Sequence, residues 1–370
     1  YDLYRALDGQ TFATFPGMDE MFDVSLGSKH VKGTPIESFD EQGINDVVQT
    51  IKSEAGDRPT VPIVVIPWEN DDATEKQDYQ YYLMKHRFLD AGLPTQFVSL
   101  STLEDSQTLK WATSNIGLAI FSKMGGKPWK VNPRHGNCLI IGIGQSHKTV
   151  SGDIQRYFAY SVLTDSSGLY EDLEVLGESE DEETYLSGFK ESLLEILQRY
   201  SQRFDRFAVH STFSLRREEL NAIEEVLENH YEQPGGEDLV AMKFNHRNKF
   251  FGYAPSSNSL VPYESTFLEL SNSEYLVWFE GLQYHRSNVK SRIGGPMHID
   301  FFYPDGKKDR EKIDYLQDSL NISGTNWRGF NAKSKPISVY YASRIARYFR
   351  KFDEYELGRV DLSNLPPWFL

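Results

Sequence analysis

Apolar and polar positions along this chain follow two rhythms, and the rhythm changes near residue 130. Before it, short apolar runs alternate with amphipathic stretches. GINDVVQTIKSEAG has helical spacing and predicts one helix. VPIVVIPW predicts a buried strand with proline at its entry. A helix over 75–91, a strand over 95–99 and a helix over 104–124 follow. Strands alternating with helices predict a parallel, Rossmann-like sheet in an α/β fold. The turn-rich run ALDGQTFATFPGMDEMFDVSLG predicts no element.

After Pro133 strand-like runs dominate. NCLIIGIG predicts a strand, and RYFAYSVLTD with GLYEDLEVLG an antiparallel pair around DSSG. DEETYLSGFKESLLEILQRYSQRF predicts a long amphipathic helix, DRFAVHSTF a strand and RREELNAIEEVLENHY a helix. More strands are expected at LVAMKFNHR, FFGYA, STFLEL, EYLVWFEG and MHIDFF. A helix at 309–320, the strand PISVYY and the helix ASRIARYFRKF complete a mixed sheet with helices on its faces. A chain of 370 residues exceeds one ordinary core and divides here into 1–127 and 128–370. No repeat or low-complexity tract interrupts it.

Composition narrows the class. With 39% hydrophobic and 25% charged residues the expectation is a soluble globular protein. No run of eighteen apolar residues predicts a membrane span. The single Cys138 excludes an internal disulfide, which suits a reduced, cytoplasmic setting. Its place in NCLIIGIG reads as core. A net charge of −15 argues against a general nucleic-acid coat. The charge is uneven: between Asp165 and Asp238 about 20 acids face about 6 bases, whereas from Lys290 onward bases exceed acids by about four. A local basic channel on an acidic body suits one strand in a defined groove.

The chemistry concentrates between Tyr79 and Trp129. Tyr81 and Lys85 are four apart and share a helix face. Gln96 opens the next strand, and Asn115, Ala119 and Lys123 form a stripe on the next helix. If the two stripes face each other, a phenol, two ammonium groups and two amides converge, a set able to hold a terminal phosphate. Taken singly, the same residues read as a core-edge tyrosine, a surface lysine and a capping glutamine. KMGGKPW reads as a helix stop by glycine and proline. IGIGQSHKT has only two glycines and makes no nucleotide-type phosphate loop.

Tyr-x-x-x-Lys, then Gln, then Asn, then Lys with Met-Gly-Gly-Lys-Pro-Trp, resembles the guide 5′-phosphate pocket of the MID domain of Argonaute/Piwi proteins. SLNISGTNWRGFNAKSKPISVYYASRIARYF and the ending NLPPWFL resemble the short prokaryotic and archaeal Piwi-type Argonautes, which lack N and PAZ domains. The resemblance covers roughly Val61 to Leu370. It implies a Rossmann-like MID domain, with an N-terminal segment, within 1–127, and an RNase H-like PIWI domain over 128–370. It implies that Tyr81, Lys85, Gln96 and Lys123 hold the guide 5′ phosphate and that Asn115 contacts the first nucleotide. It also implies Mg²⁺ or Mn²⁺ at that end, held by Gln96 and the Leu370 carboxylate, although Ala119 stands where some relatives carry a metal-binding glutamine. Trp368, Phe369 and Leu370 suit a docked tail better than a solvated one. Arg247, Arg292, Arg328, Lys333 and Lys335, with Lys249, Arg286 and Lys290, would line the guide and target backbone.

Slicing members of the family hold two metals with acidic residues. The matching positions here are Gly144, Ser211 or Thr212 after FAVH, and Ser343. None is a carboxylate, so no cleavage is expected. A rearranged site from Asp153, Asp165 or Asp300 is the alternative. His135, His147, His210, His246, His285 and His298 have no metal spacing and read as structural. The implied partners are a short guide RNA (or DNA), a complementary single-stranded DNA target, and an effector protein of the Sir2, TIR or nuclease type in prokaryotic defence. Two other classes stay open: an active guide-dependent RNase H-like nuclease, and an α/β protein that takes a small phosphorylated ligand.

Overall fold

The computed structural model describes residues 2–27, 31–69, 72–151, 153–212, 215–231, 238–256, 260–282, 295–303, 309–330, 334–360 and 365–370. They form two compact units. The first comprises residues 1–129, 327–330 and 351–370, and the second residues 130–326 and 331–350. Grouping by chain order, 1–127 and 128–370, differs from this spatial grouping mainly in residues 327–330 and 351–370, which count with the first unit.

In the first unit, α1 (Asp2–Leu7) largely precedes and α2 (Met18–Phe22) lies within the turn-rich stretch that predicted no element. Leu7 of α1, Met18 of α2 and Phe15 between them pack with Val98, Ile116 and Ile120. Next come α3 (Glu41–Ala55), β1 (Ile63–Ile66) and α4 (Glu75–Asp90). Thr74 and Gln77 close a capping box that fixes where α4 begins. After β2 (Gln96–Ser99) comes a short helix that was not expected, α5 (Leu100–Glu104), and then α6 (Ser106–Lys123), the helix expected at 104–124. Asp105 divides them because its carboxylate accepts from the Gln107 and Thr108 amides and caps α6. β1 and β2 pair in parallel, the smallest form of the expected sheet.

The second unit holds an eight-stranded sheet in the order β5-β4-β3-β6-β7-β10-β9-β8. Its strands are β3 (Cys138–Val150), β4 (Asp153–Asp165), β5 (Tyr170–Ser179), β6 (Arg206–Thr212), β7 (Asp238–Asn245), β8 (Phe267–Glu269), β9 (Glu274–Val277) and β10 (Met297–Tyr303). β3, β6 and β7 run parallel and the other pairs antiparallel, the mixed RNase H-like arrangement. FFGYA is not a strand. Helices α7 (Glu182–Tyr200) and α8 (Arg217–Tyr231) cover one face, where Leu139, Ile141 and Ile143 of β3 meet Phe189, Leu193 and Ile223. Residues of α9 (Asp309–Ser323) and α10 (Ile337–Glu354) meet the other face, where His210 bonds Ser338 and approaches Ser319.

PISVYY is the start of α10 rather than a strand. Its β-branched and aromatic content favours a strand only where a pleated surface exists to receive it. Here Pro336 precedes the first helical residue, where a missing amide costs nothing. The helix then lies close on β3: a Cβ at Gly142 would fall 2.4 Å from the Ser338 carbonyl.

His210 is fully buried, its Nδ1 2.9 Å from Ser338 Oγ, and burial pushes its imidazole down to about 3. The unfolded imidazole titrates near its ordinary value of about 6.5. Between these values the unfolded chain binds a proton that the folded chain refuses. Stability therefore falls as pH drops through this window, by up to about 1.4 kcal/mol per pH unit. Urea midpoints at pH 7.5 and 5.0 should fall less for His210→Gln than for the parent. Equal falls would exclude His210 as the source.

Candidate nucleic-acid interface

In the first unit, two lysines reach one short segment of chain, one at the Thr95 carbonyl and the other at the Gln96 side chain. Lys85, on α4, is 3% exposed. Its Nζ donates to the Thr95 carbonyl at 3.4 Å and to the Trp368 carbonyl at 3.2 Å. It also lies 5.8 Å from the Phe97 ring centroid and 5.6 Å from that of Trp368. Lys123, at the end of α6, is 2% exposed, and its Nζ donates to Gln96 Oε1 at 2.7 Å. Tyr81, one turn before Lys85, packs on Phe97 at 4.7 Å. Four of the five expected residues thus gather on Thr95–Phe97. Asn115 is exposed and lies two turns, about 12 Å of helix axis, before Lys123.

Burying an ammonium group costs several kcal/mol before its contacts repay it. Two on one three-residue segment also repel each other, and a dianion held between them would relieve that repulsion. Trp368, Phe369 and Leu370 are buried, as the apolar tail predicted. Sequence reading missed that the Trp368 carbonyl itself is an acceptor for Lys85, because no local signal marks a backbone atom 283 residues away.

The second unit holds the positions matched to a cleavage site. Gly144 lies on β3 opposite Tyr160. A Cβ there would fall 2.1 Å from the Ala342 carbonyl and 2.6 Å from the Ser343 amide nitrogen, so the α10 backbone occupies the space of any side chain. Ser343 Oγ donates back to the Val339 carbonyl at 2.7 Å. Ser211 is buried and donates to the Met242 carbonyl, and Thr212 ends β6.

A Piwi domain model matches residues 71–354, most of the chain. The chain belongs to the Piwi family. It is 23% identical over 313 residues to a Piwi protein of Archaeoglobus fulgidus, covering 78% of this chain and 71% of that one. It is 24% identical over 348 residues to an argonaute of Cereibacter sphaeroides, covering 82% of this chain and 41% of the relative. Its fold resembles Clostridium butyricum Argonaute bound to a guide DNA and a 19-mer target DNA, with a TM-score of 0.64 at 18% identity. That likeness covers 88% of this chain and 42% of the Clostridium protein. The chain thus spans less than half the length of these two Argonautes.

Around the Piwi sheet the acids considered as a rearranged site lie apart in role. Asp165 accepts from the Ser167 amide and hydroxyl and from the Leu169 amide, shaping the β4–β5 turn. Asp300 pairs in β10 with Lys243 and Glu274, and burial with the Glu274 charge pushes its carboxyl up. Asp153 is exposed at the start of β4. Among the described residues no group of three or more His, Cys, Asp or Glu side chains could hold a metal. In the first unit, Gln96 Oε1 already accepts from an ammonium group. A divalent ion on that oxygen, at about 2.1 Å for Mg²⁺, would meet the lysine charge. The Gln96 oxygen therefore does not fit the expected Mg²⁺ or Mn²⁺, which leaves the Leu370 carboxylate as the other expected ligand.

The basic residues divide between the units. Arg328 lies in the first. In the second, Arg247 and Lys335 both press on His246, whose imidazole is pushed down by burial, then by those two charges. Lys333, Arg292, Lys290, Arg286 and His285 lie outside the described residues. Two other histidines pair with acids, His135 with Asp314 at 3.3 Å and His298 with Glu274 at 3.2 Å. His147 is pushed down to about 4 by burial and the Arg216 charge.

The close approach at Gly144 sets an expectation for restoring a carboxylate. Gly144→Asp should destabilise the fold by roughly 3 kcal/mol or more, at the upper end for overpacking, and should yield no Mg²⁺- or Mn²⁺-dependent cleavage. Denaturant melts together with a guide-loaded cleavage assay read both. A stable variant that cuts would show that α10 yields easily.

Proposed function

We propose that this Piwi-family chain binds a short nucleic-acid guide by its 5′ phosphate and presents it to a complementary single-stranded DNA without cutting. The observation that carries this reading is the pair of buried ammonium groups, Lys85 and Lys123, brought with Gln96 and Tyr81 onto Thr95–Phe97. The Rossmann-like first unit acts as a MID domain, and the phosphate lies between the two lysines. Tyr81 offers its phenol, and Asn115 contacts the strand farther along α6. Arg247 and Lys335 in one unit and Arg328 in the other meet backbone phosphates, and Lys333 and Arg292 join that set by sequence. Base pairing reads the target, and the protein reads the phosphate end and the backbone.

Slicing is absent in this reading because Gly144 admits no side chain, Ser343 is bonded within its own helix, and Thr212 is not a carboxylate. The phosphate charge is met by lysine rather than by a metal. The guide is RNA by family resemblance, and the output passes to an effector of the Sir2, TIR or nuclease type in cytoplasmic prokaryotic defence. The Clostridium protein of similar fold holds a guide DNA and a target DNA, which supports strand binding and leaves guide chemistry to experiment.

The test begins with the nucleic acid that copurifies with the protein, end-labelled with and without phosphatase and treated with RNase or DNase. Short 5′-phosphorylated strands are expected. A synthetic 18-mer should bind at least 100-fold tighter with a 5′ phosphate than with a 5′ hydroxyl, since hydrogen bonds to charged groups contribute about 1.5–3 kcal/mol each. Lys85→Met with Lys123→Met should erase that preference while leaving thermal stability equal or higher, because the buried charges leave with the ligand site. EDTA should leave binding within about threefold, against the tenfold that 1.4 kcal/mol would give. Equal affinity for a mononucleotide and the 18-mer would favour a small-phospholigand protein instead.

A further inference from the structure

The chain leaves α6 through Gly125, whose φ of 88° suits glycine, into Lys127-Pro128-Trp129. Far along the sequence, Arg328-Gly329-Phe330 returns to the same unit. The two segments are fastened together: Trp327 Nε1 donates to the Trp129 carbonyl at 3.1 Å. The rings of Trp129 and Phe330 then stack, with centroids 5.6 Å apart and planes 27° from parallel.

A stacked aromatic pair is usually core. This one is not, because Phe330 keeps 46% of its surface exposed. With one face held against Trp129, the surface left to solvent is the other face and the ring edge. A lone exposed phenylalanine needs no explanation. This one is held in place by a tryptophan that is itself hydrogen-bonded in position. Each ring also has a cation two residues before it, Lys127 for Trp129 and Arg328 for Phe330. Aromatic faces interleaved with cations are what single-stranded nucleic acid requires, since bases stack on the rings and phosphates meet the charges.

We infer that the open face of Phe330, backed by Trp129, is a stacking platform for one unpaired nucleobase of a bound strand, with Arg328 and Lys127 meeting its flanking phosphates. The inference rests on the strand binding proposed above and adds a base contact outside the Lys85/Lys123 pocket. The platform is selective for a planar ring but tolerant of base identity, because every base has a π-face. The base is presented by either the guide or the target, and the two sources are separable.

The experiment places 2-aminopurine at successive positions of a 5′-phosphorylated 18-mer guide, and in a second arm at successive positions of the target. Stacking on an aromatic ring quenches its fluorescence. One position in one strand should be quenched on binding. Phe330→Leu should release that quench and weaken binding by roughly 5- to 150-fold, the range for removing one base–aromatic stack. Phe330→Trp, which enlarges the π-face, should retain both. The preference for a 5′ phosphate should survive in both variants. A strand that binds with its phosphate preference intact, while no probe position responds to Phe330→Leu, overturns the platform and leaves the phosphate pocket standing. A strand that fails to bind the parent protein overturns both. If Phe330→Trp loses the quench like Phe330→Leu and still melts like the parent, the ring is a packing element and the platform is rejected.

Discussion

The packing of α10 on β3 is the constraint on which most of the second unit depends. Gly142 and Gly144 let the helix backbone come within van der Waals reach of the strand, where Ser338 and Ala342 fill the places of two side chains. That approach seals one face of the sheet and buries His210 against Ser338 as a neutral hydrogen-bonding group. It also bears on the proposed lack of cleavage. At Gly144, the strand position matched to a metal-binding acid, the α10 backbone leaves no room for a Cβ, so the constraint lies in the backbone rather than in a single side chain.

In the first unit the governing term is electrostatic. Lys85 and Lys123 come from different helices and meet on one strand because α4 and α6 both start at well-defined caps. A capping box at Thr74 and an aspartate at position 105 fix the phase of each helix, and phase decides which residues face inward. Once the phase is set, the lysine stems pack as apolar chains. Aromatic rings of Phe97 and Trp368 and the carbonyls of Thr95 and Trp368 then receive the Lys85 charge.

What was legible in the sequence follows from how local the cause was. The β4–β5 hairpin around DSSG, helix α4 and the Tyr81/Lys85 face were readable because turn chemistry and helical spacing act within a few residues. The PISVYY run misled because residue preference alone cannot see a glycine-lined strand waiting for a helix. Helix α5 was missed because five residues are too few to show a helical period. Four of the five residues expected around a phosphate, by spacing and resemblance, come together on Thr95–Phe97, yet the Trp368 carbonyl and the Trp129–Phe330 stack join residues about two to three hundred positions apart, where no pattern in the chain records the contact.

The first unit is discontinuous: its core begins at the start of the chain, and its last pieces are residues 327–330 and 351–370. Chains are made from the N-terminus at roughly 5–20 residues per second, and domains usually fold as they emerge. Here the ribosome must deliver residues 130–326 of the second unit before Trp327 can bond Trp129, and residues 331–350 as well before Trp368 can receive Lys85. Until residue 368 emerges, Lys85 lacks the Trp368 carbonyl and ring that receive its charge. Residues 1–129 are thus completed as a unit only when residues 327–330 and 351–370 have followed.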